Sequence, residues 1–457
     1  MWKLVIPALA VALTGCGGGG AGTPSQAVGV TSQVVVGGGG TGTTSQVVDG
    51  VAITAGFIST PATFIPSLVT GNFSTDGAKY VILSGWYIRN TTAPPVKIYR
   101  LSDSTVSDAT VDILGSNHSI SVNYPVVADF NRDGVDDIFF AGFTDIPGTL
   151  NNASTAFISR PGQSHRQVNV PGSTWSHGSV AADVNNDGFI DVINSQGHIW
   201  TNDGTGQFTF NTRKDWQQGH AEYIAGSGIC AGDFDRSGTT QVVATDLSMN
   251  GKLPLRDTYI FKLDNTLAPT RMAILPTPWF DIGNTTATEL SHDVSCTVGD
   301  LNNDGWQDII VISAKEGVTT TPESRVQIYL NRGNWQFDDV TSSAMSGWST
   351  AVLSSYTPLL VDYNNDGRLD LWLMGWDNWG RNSNQLWTNS TTTSFAQTKQ
   401  TDFDQLLTNF RTVTGAPSNR LGIMIPVKVN GTWNFAYTSA VANKVYVGYA
   451  RTQWSLQ

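Results

Sequence analysis

Glutamate is nearly missing from this chain: of 37 acidic side chains, only Glu222, Glu289, Glu316 and Glu323 are Glu, and the rest are Asp. Helix surfaces favour Glu, whereas turns and metal loops favour Asp. A largely helical protein is therefore excluded, and the acids belong mostly to loops. Cysteine is also scarce, with three in 457 residues, so the chain is no small disulfide scaffold. Charged residues make up only 14% of the chain, the net charge is −11, and Lys and Arg form no cluster or stripe. Nucleic acid is excluded as a partner on that ground. What is plentiful points one way: 47 Gly and 15 Trp suit a turn-rich all-β chain.

The N-terminus does not belong to the fold. Met1, Trp2 and Lys3 form a short basic start, residues 4–13 are apolar, and small residues follow. Residues 1–15 read as a signal peptide, too short to span a membrane as a helix. Leu13-Thr14-Gly15-Cys16 resembles the bacterial lipobox, which implies cleavage before Cys16 and lipidation of that residue. Gly17, where Asp would resemble an inner-membrane retention signal, favours the outer membrane in a cell that has one. The expected location is the cell envelope, periplasmic or surface-exposed, with the membrane as a partner through the lipid. Residues 16–50 carry two glycine quartets and Thr-Ser-Gln-Val-Val twice. They read as a flexible tether spanning roughly 30 Å, and the folded body is expected over 51–457.

Repeats organise that body. Four nine-residue segments, at 129–137, 183–191, 300–308 and 362–370, share the pattern D-x-N-x-D-G-x-x-D. A degraded copy at 233–241 keeps Asp233, Asp235 and Gly238, with Ser237 and Gln241 where the others have Asp. A fainter one at 72–80 keeps Asp76 and Gly77. After each complete copy come an apolar run, a short strand, an Asn/Gly turn and an aromatic strand, four strands per unit. Six units are visible. Residues from about 412 to the end read as a further, metal-free unit, with residues 50–68 pairing to close a ring. The expectation is an all-β fold, a β-propeller of about seven four-stranded blades.

The spacing wraps the chain around one point. Positions one, three, five and nine aim side-chain oxygens inward, position seven gives its backbone carbonyl, and Gly at six permits the sharp turn. The expected ligands are Asp129, Asn131, Asp133, Val135 and Asp137; Asp183, Asn185, Asp187, Phe189 and Asp191; Asp300, Asn302, Asp304, Trp306 and Asp308; and Asp362, Asn364, Asp366, Arg368 and Asp370. Hard oxygen donors at flexible distances suit Ca²⁺, giving about four ions. Asp233, Asp235 and Ser237 form a weaker version, and the copy at 72–80 is expected to hold none. An EF-hand is excluded, because position twelve is Phe140, Asn194, Val311 or Leu373 instead of Glu and the flanks are β-rich. Four ions would offset most of the net negative charge.

The pattern resembles the FG-GAP/VCBS repeats of integrin α-chain propellers and many bacterial surface proteins, over about residues 70 to 410. That resemblance implies structural calcium loops between first and second strands, on one face of the disc, and ligand binding on the opposite face. There it would gather Trp175, His177, Trp216, His220, Trp279, His292, Trp376 and Trp379, side chains suited to stacking on sugars or anchoring a protein. The bland reading of the same indoles is packing between blades. Cys230 and Cys296, three and four residues before their loops, are candidates for a disulfide, although the one-residue difference could turn them to opposite faces. No G-x-S-x-G, H-E-x-x-H or phosphate-cradling loop is present. The leading functional reading is a non-catalytic calcium-stabilised surface scaffold for a polysaccharide or protein. The alternatives are a polysaccharide- or ester-cleaving enzyme and a structural subunit of an envelope complex.

Overall fold

The computed structural model describes residues 44–48, 51–59, 64–87, 93–102, 106–122, 124–143, 153–173, 178–212, 228–245, 258–276, 291–315, 324–345, 355–375, 385–391, 393–397, 423–441 and 444–451. The architecture is an all-β propeller of antiparallel sheets. Six sheets have four strands each, which corrects the expected count of about seven such blades. Their first strands are Phe64–Gly71, Val126–Ala128, Ser179–Ala182, Ile229–Gly232, Ser291–Gly299 and Ser355–Val361, numbered here as blades 1 to 6. The chain ends build a further sheet of five strands in the order Thr44–Val48, Val51–Ser59, Lys444–Arg451, Thr432–Val441, Met424–Val429.

The reason for the different count lies in the C-terminal stretch, which supplies only three strands. Val51–Ser59 pairs antiparallel with Lys444–Arg451, placing Ile53 opposite Ala450 and Ser59 opposite Lys444. Thr44–Val48 then folds back on Val51–Ser59, with Val48 opposite Val51. That strand falls inside the span read as tether. Its β-branched Thr and Val residues and the Asp49-Gly50 dipeptide carry a hairpin signal that the surrounding glycines obscure.

Second strands are apolar without alternation because both faces are covered. Ile309, Ile310, Val311 and Ile312 are all buried, as are Leu371, Trp372 and Leu373. The core lies between blades. Phe139 and Val126 of blade 2 pack with Trp200 and Phe208 of blade 3, and Ile310 and Ile328 of blade 5 pack with Leu371 and Trp387 of blade 6. Of the described tryptophans, Trp200, Trp372 and Trp387 are core residues, whereas Trp306, Trp335 and Trp433 are partly buried. Two single-turn helices, Thr110–Leu114 and Thr341–Ala344, follow the fourth strands of blades 1 and 5. No helix among the described residues is long and apolar enough to cross a membrane.

Candidate metal centres

Each repeated loop joins the first strand of its blade to the second, as at Val126–Ala128 and Asp137–Phe140. The five loops share one backbone shape. Position four is left-handed in all of them: Arg132, Asn186, Arg236, Asn303 and Asn365 have φ between 56° and 60°. The glycine at position six also has positive φ, from 74° to 90°, a conformation that disfavours any side chain.

Inside the loops the oxygens of positions one and three converge. The N–H of Asp133 donates to both Asp129 Oδ1 and Asn131 Oδ1, each at 3.1 Å. The same shared donor recurs at Asp187, Asp304 and Asp366, at 3.0–3.2 Å. Positions one and three therefore face one point. Position five caps the turn, as when Asp304 Oδ1 accepts from the N–H of Trp306 at 2.8 Å. The position-three amide nitrogen donates to the position-five carboxylate in all four complete loops, at 2.8–3.1 Å.

Position nine is a buried carboxylate whose oxygens are both held. Asp308 Oδ2 accepts from the N–H of Leu301 at 2.8 Å, and Oδ1 from the N–H of Asn331 at 2.8 Å. Asp137, Asp191 and Asp370 repeat the arrangement with Ser159, Asn202 and Asn389. Burial pushes these four carboxyls up, Asp137 and Asp370 to about 6 and Asp191 and Asp308 to about 7, with repulsion from neighbouring loop Asp residues adding to it. The main-chain donors pull the other way without cancelling burial.

The donors are all hard oxygens, and the shared N–H shows that two of them already converge, so the loops fit Ca²⁺ in chemistry. Among the described residues no group of three or more His, Cys, Asp or Glu side chains stands in a metal-holding arrangement. Each expected set includes three carboxylates, at positions one, five and nine; the convergence seen is that of positions one and three. One loop departs further: the Arg368 guanidinium pairs with Asp366, competing for an oxygen the ion would use.

Loops of successive blades also touch. Arg132 lies over the Phe189 ring, 4.5 Å from its centroid, and Arg236 over Trp306 at 3.9 Å. Asn303 Nδ2 donates to the carbonyl of Gly367 at 3.1 Å. Lys428 of the five-stranded sheet reaches Asn365 Oδ1 at 2.7 Å, and Trp433 Nε1 donates to the carbonyl of Asp362 at 3.0 Å. Four of the five position-four residues, Arg132, Arg236, Asn303 and Asn365, are thus connectors along one face.

Residues 300–373 match the FG-GAP-like repeat family. The matched span runs from the loop of blade 5 to the second strand of blade 6, one repeat measured from loop to loop. No curated protein matches the chain. Among solved structures, an Agrocybe aegerita lectin that recognises non-reducing terminal N-acetylglucosamine is 14% identical, covers 73% of this chain and 79% of its own, with a TM-score of 0.45. The V. cholerae biofilm matrix protein Bap1 is 9% identical, with 87% and 90% covered and a TM-score of 0.39. A Penicillium chrysogenum alpha-L-arabinanase is 10% identical, with 86% and 98% covered and a TM-score of 0.41. At such identity, ligand and reaction have to be argued from this chain's own residues.

Beyond the FG-GAP-like loops, a disulfide joins Cys230 to Cys296, with Cα atoms 5.8 Å apart. It links the first strands of blades 4 and 5. Facing sides of neighbouring blades are opposite faces of their sheets, so the one-residue offset is what turns the two sulfurs toward each other. His292 lies in Ser291–Gly299, opposite Ala314 and at the strand end remote from the loop. Trp175, His177, Trp216, His220, Trp279, Trp376 and Trp379 lie outside the described residues, as do Cys16 and residues 1–15.

Sequence reading missed the second role of Asn202 and Asn331, which it took as turn residues, and gave Asn389 no role. Asn202 and Asn331 do accept turn N–H groups, from Gly204 and Gly333. Their amide nitrogens also reach back across the seam, Asn202 to the carbonyl of Phe130 at 2.7 Å and Asn331 to that of Phe234 at 2.9 Å. The signal was available as an Asn at the end of the third strand in three of the units.

Proposed function

We propose that the chain is a non-catalytic, calcium-stabilised binding scaffold, held at the cell envelope by a lipid on Cys16 and engaging a polysaccharide or a protein. The observation that carries the reading is the repeated loop: four copies with the same converging oxygens, each locked to its own blade by a buried carboxylate. The loops are therefore placed to fix shape. Bound Ca²⁺ would supply positive charge among carboxylates that otherwise repel. Positions one, three, five and nine would hold it by side chains and position seven by its carbonyl. The chain's own part is to hold these oxygens in place and tie each loop to the neighbouring blade. A rigid disc with one face committed to loops leaves the other face for a partner, and fold alone does not specify which.

Glycan arrays and pull-downs with mature protein, in calcium and in EDTA, test this reading. Calcium-dependent capture of a glycan or protein without turnover is expected. Turnover of a polysaccharide or ester substrate, lost in His292→Ala, contradicts it.

A further inference from the structure

The two degenerate loops solve the charge problem in another way. In loop 233–241, position nine is Gln241, fully buried. Its Oε1 keeps the position-nine bond to the position-two N–H, accepting from Phe234 at 2.6 Å. Its Nε2, however, turns into the loop. It donates to Asp235 Oδ1 at 3.1 Å, to the carbonyl of Thr239 at 2.7 Å and to Thr239 Oγ1 at 3.2 Å. Asp235 is position three and the Thr239 carbonyl is position seven, two oxygens that in a complete loop would face the ion. No complete loop has a donor at position nine, because a carboxylate only accepts.

Loop 72–80 has its own version. Lys79 donates to Asn72 Oδ1, at position one. Arg100 pairs with Asp76, at position five, at 2.6 Å. Asn72 is further tied to blade 2 through Asp136 Oδ2, which accepts its main-chain N–H at 2.7 Å.

We propose that loops 72–80 and 233–241 are cation-independent, with side-chain nitrogen of the protein taking the place of the ion, above all the Gln241 amide. The ring then contains two kinds of seam, metal-dependent beside complete loops and metal-free beside these two. The seam between blades 4 and 5 is reinforced accordingly. Gln307 Oε1 accepts from the N–H of Asp233 at 2.6 Å, Arg236 donates to the carbonyls of Asp304 and Gly305, and the Cys230–Cys296 disulfide crosses the same boundary. The inference rests on the calcium reading for the complete loops, but the amide's role has a separate readout.

That readout is Gln241→Glu, nearly the same shape with the donor removed. In EDTA at pH 8 it should melt lower than wild type by roughly 3 °C or more, since acceptors then face one another. Added calcium should raise its melting temperature by more than it raises that of wild type. Equilibrium dialysis with calcium should count four ions on wild type and five on Ser237→Asp/Gln241→Asp. A wild-type count of five, a folded double variant that stays at four, or Gln241→Glu melting with wild type in EDTA overturns the proposal. A wild type that binds no calcium overturns the reading of the complete loops instead, and the EDTA comparison then decides the amide's role alone. If the double variant does not fold, the single variant still gives the answer.

Discussion

Asn389 donates its side-chain amide to the main-chain carbonyl of Leu301, 88 residues earlier, at 2.9 Å. The same nitrogen reaches the carbonyl of Leu369 at 3.3 Å, and the Asn389 N–H donates to Asp370. One side chain thus bonds the loop of blade 5 to that of blade 6. Asn389→Ala leaves two carbonyls without their donor, at about 1–3 kcal/mol for each unsatisfied buried group. Urea denaturation should show a loss of about 2 kcal/mol or more. A loss under about 0.5 kcal/mol, the ordinary scatter of surface substitutions, would mean that the bond does not hold the seam.

The disulfide between Cys230 and Cys296 spans 66 residues of chain. Closing a loop of that length restricts the unfolded chain by about 4 kcal/mol in the entropy treatment. Cys230→Ser/Cys296→Ser should therefore lose roughly 2–4 kcal/mol, read from denaturation midpoints in non-reducing buffer. Wild type with reductant should match the variant. Equal midpoints for all three samples would contradict the link.

Burial holds His198 below its ordinary 6.5. Between that lowered value and 6.5 the unfolded chain binds a proton that the folded chain refuses. Stability is then lost as pH falls through 6.5, and the loss levels off below the folded value. His198→Gln should remove this part of the acid sensitivity, so the variant gains on wild type as pH drops from 7 to 5. The check is the difference in denaturation midpoint at each pH. A difference that stays constant across the range would show that His198 titrates alike in both states.

Much of the fold could be read before any coordinates. The nine-residue spacing fixes where first and second strands meet, because only a tight turn closes on itself with Gly at six, and the apolar runs after it mark strands covered on both sides. Three things were hidden. The ring-closing sheet gains Thr44–Val48 as a fifth strand, folded back on Val51–Ser59, from a stretch whose flanking glycines made it read as tether. The direction of the Gln241 amide depends on which oxygens it meets, so a substitution that looked like a weakened ligand is a donor facing Asp235 and Thr239. The cysteine offset looked unfavourable only while both sulfurs were imagined on the same face of equivalent strands; across a blade seam the faces are opposed.

The claim beneath the rest is that the four complete loops close on calcium, and thermal melting of mature protein in calcium and in EDTA tests it most directly. At free calcium a hundredfold above Kd, each occupied loop adds about 2.7 kcal/mol. Wild type should therefore melt well above its EDTA value, and Asp304→Ala should show a visibly smaller gap between the two buffers. Identical melting of wild type in calcium and in EDTA would contradict the account.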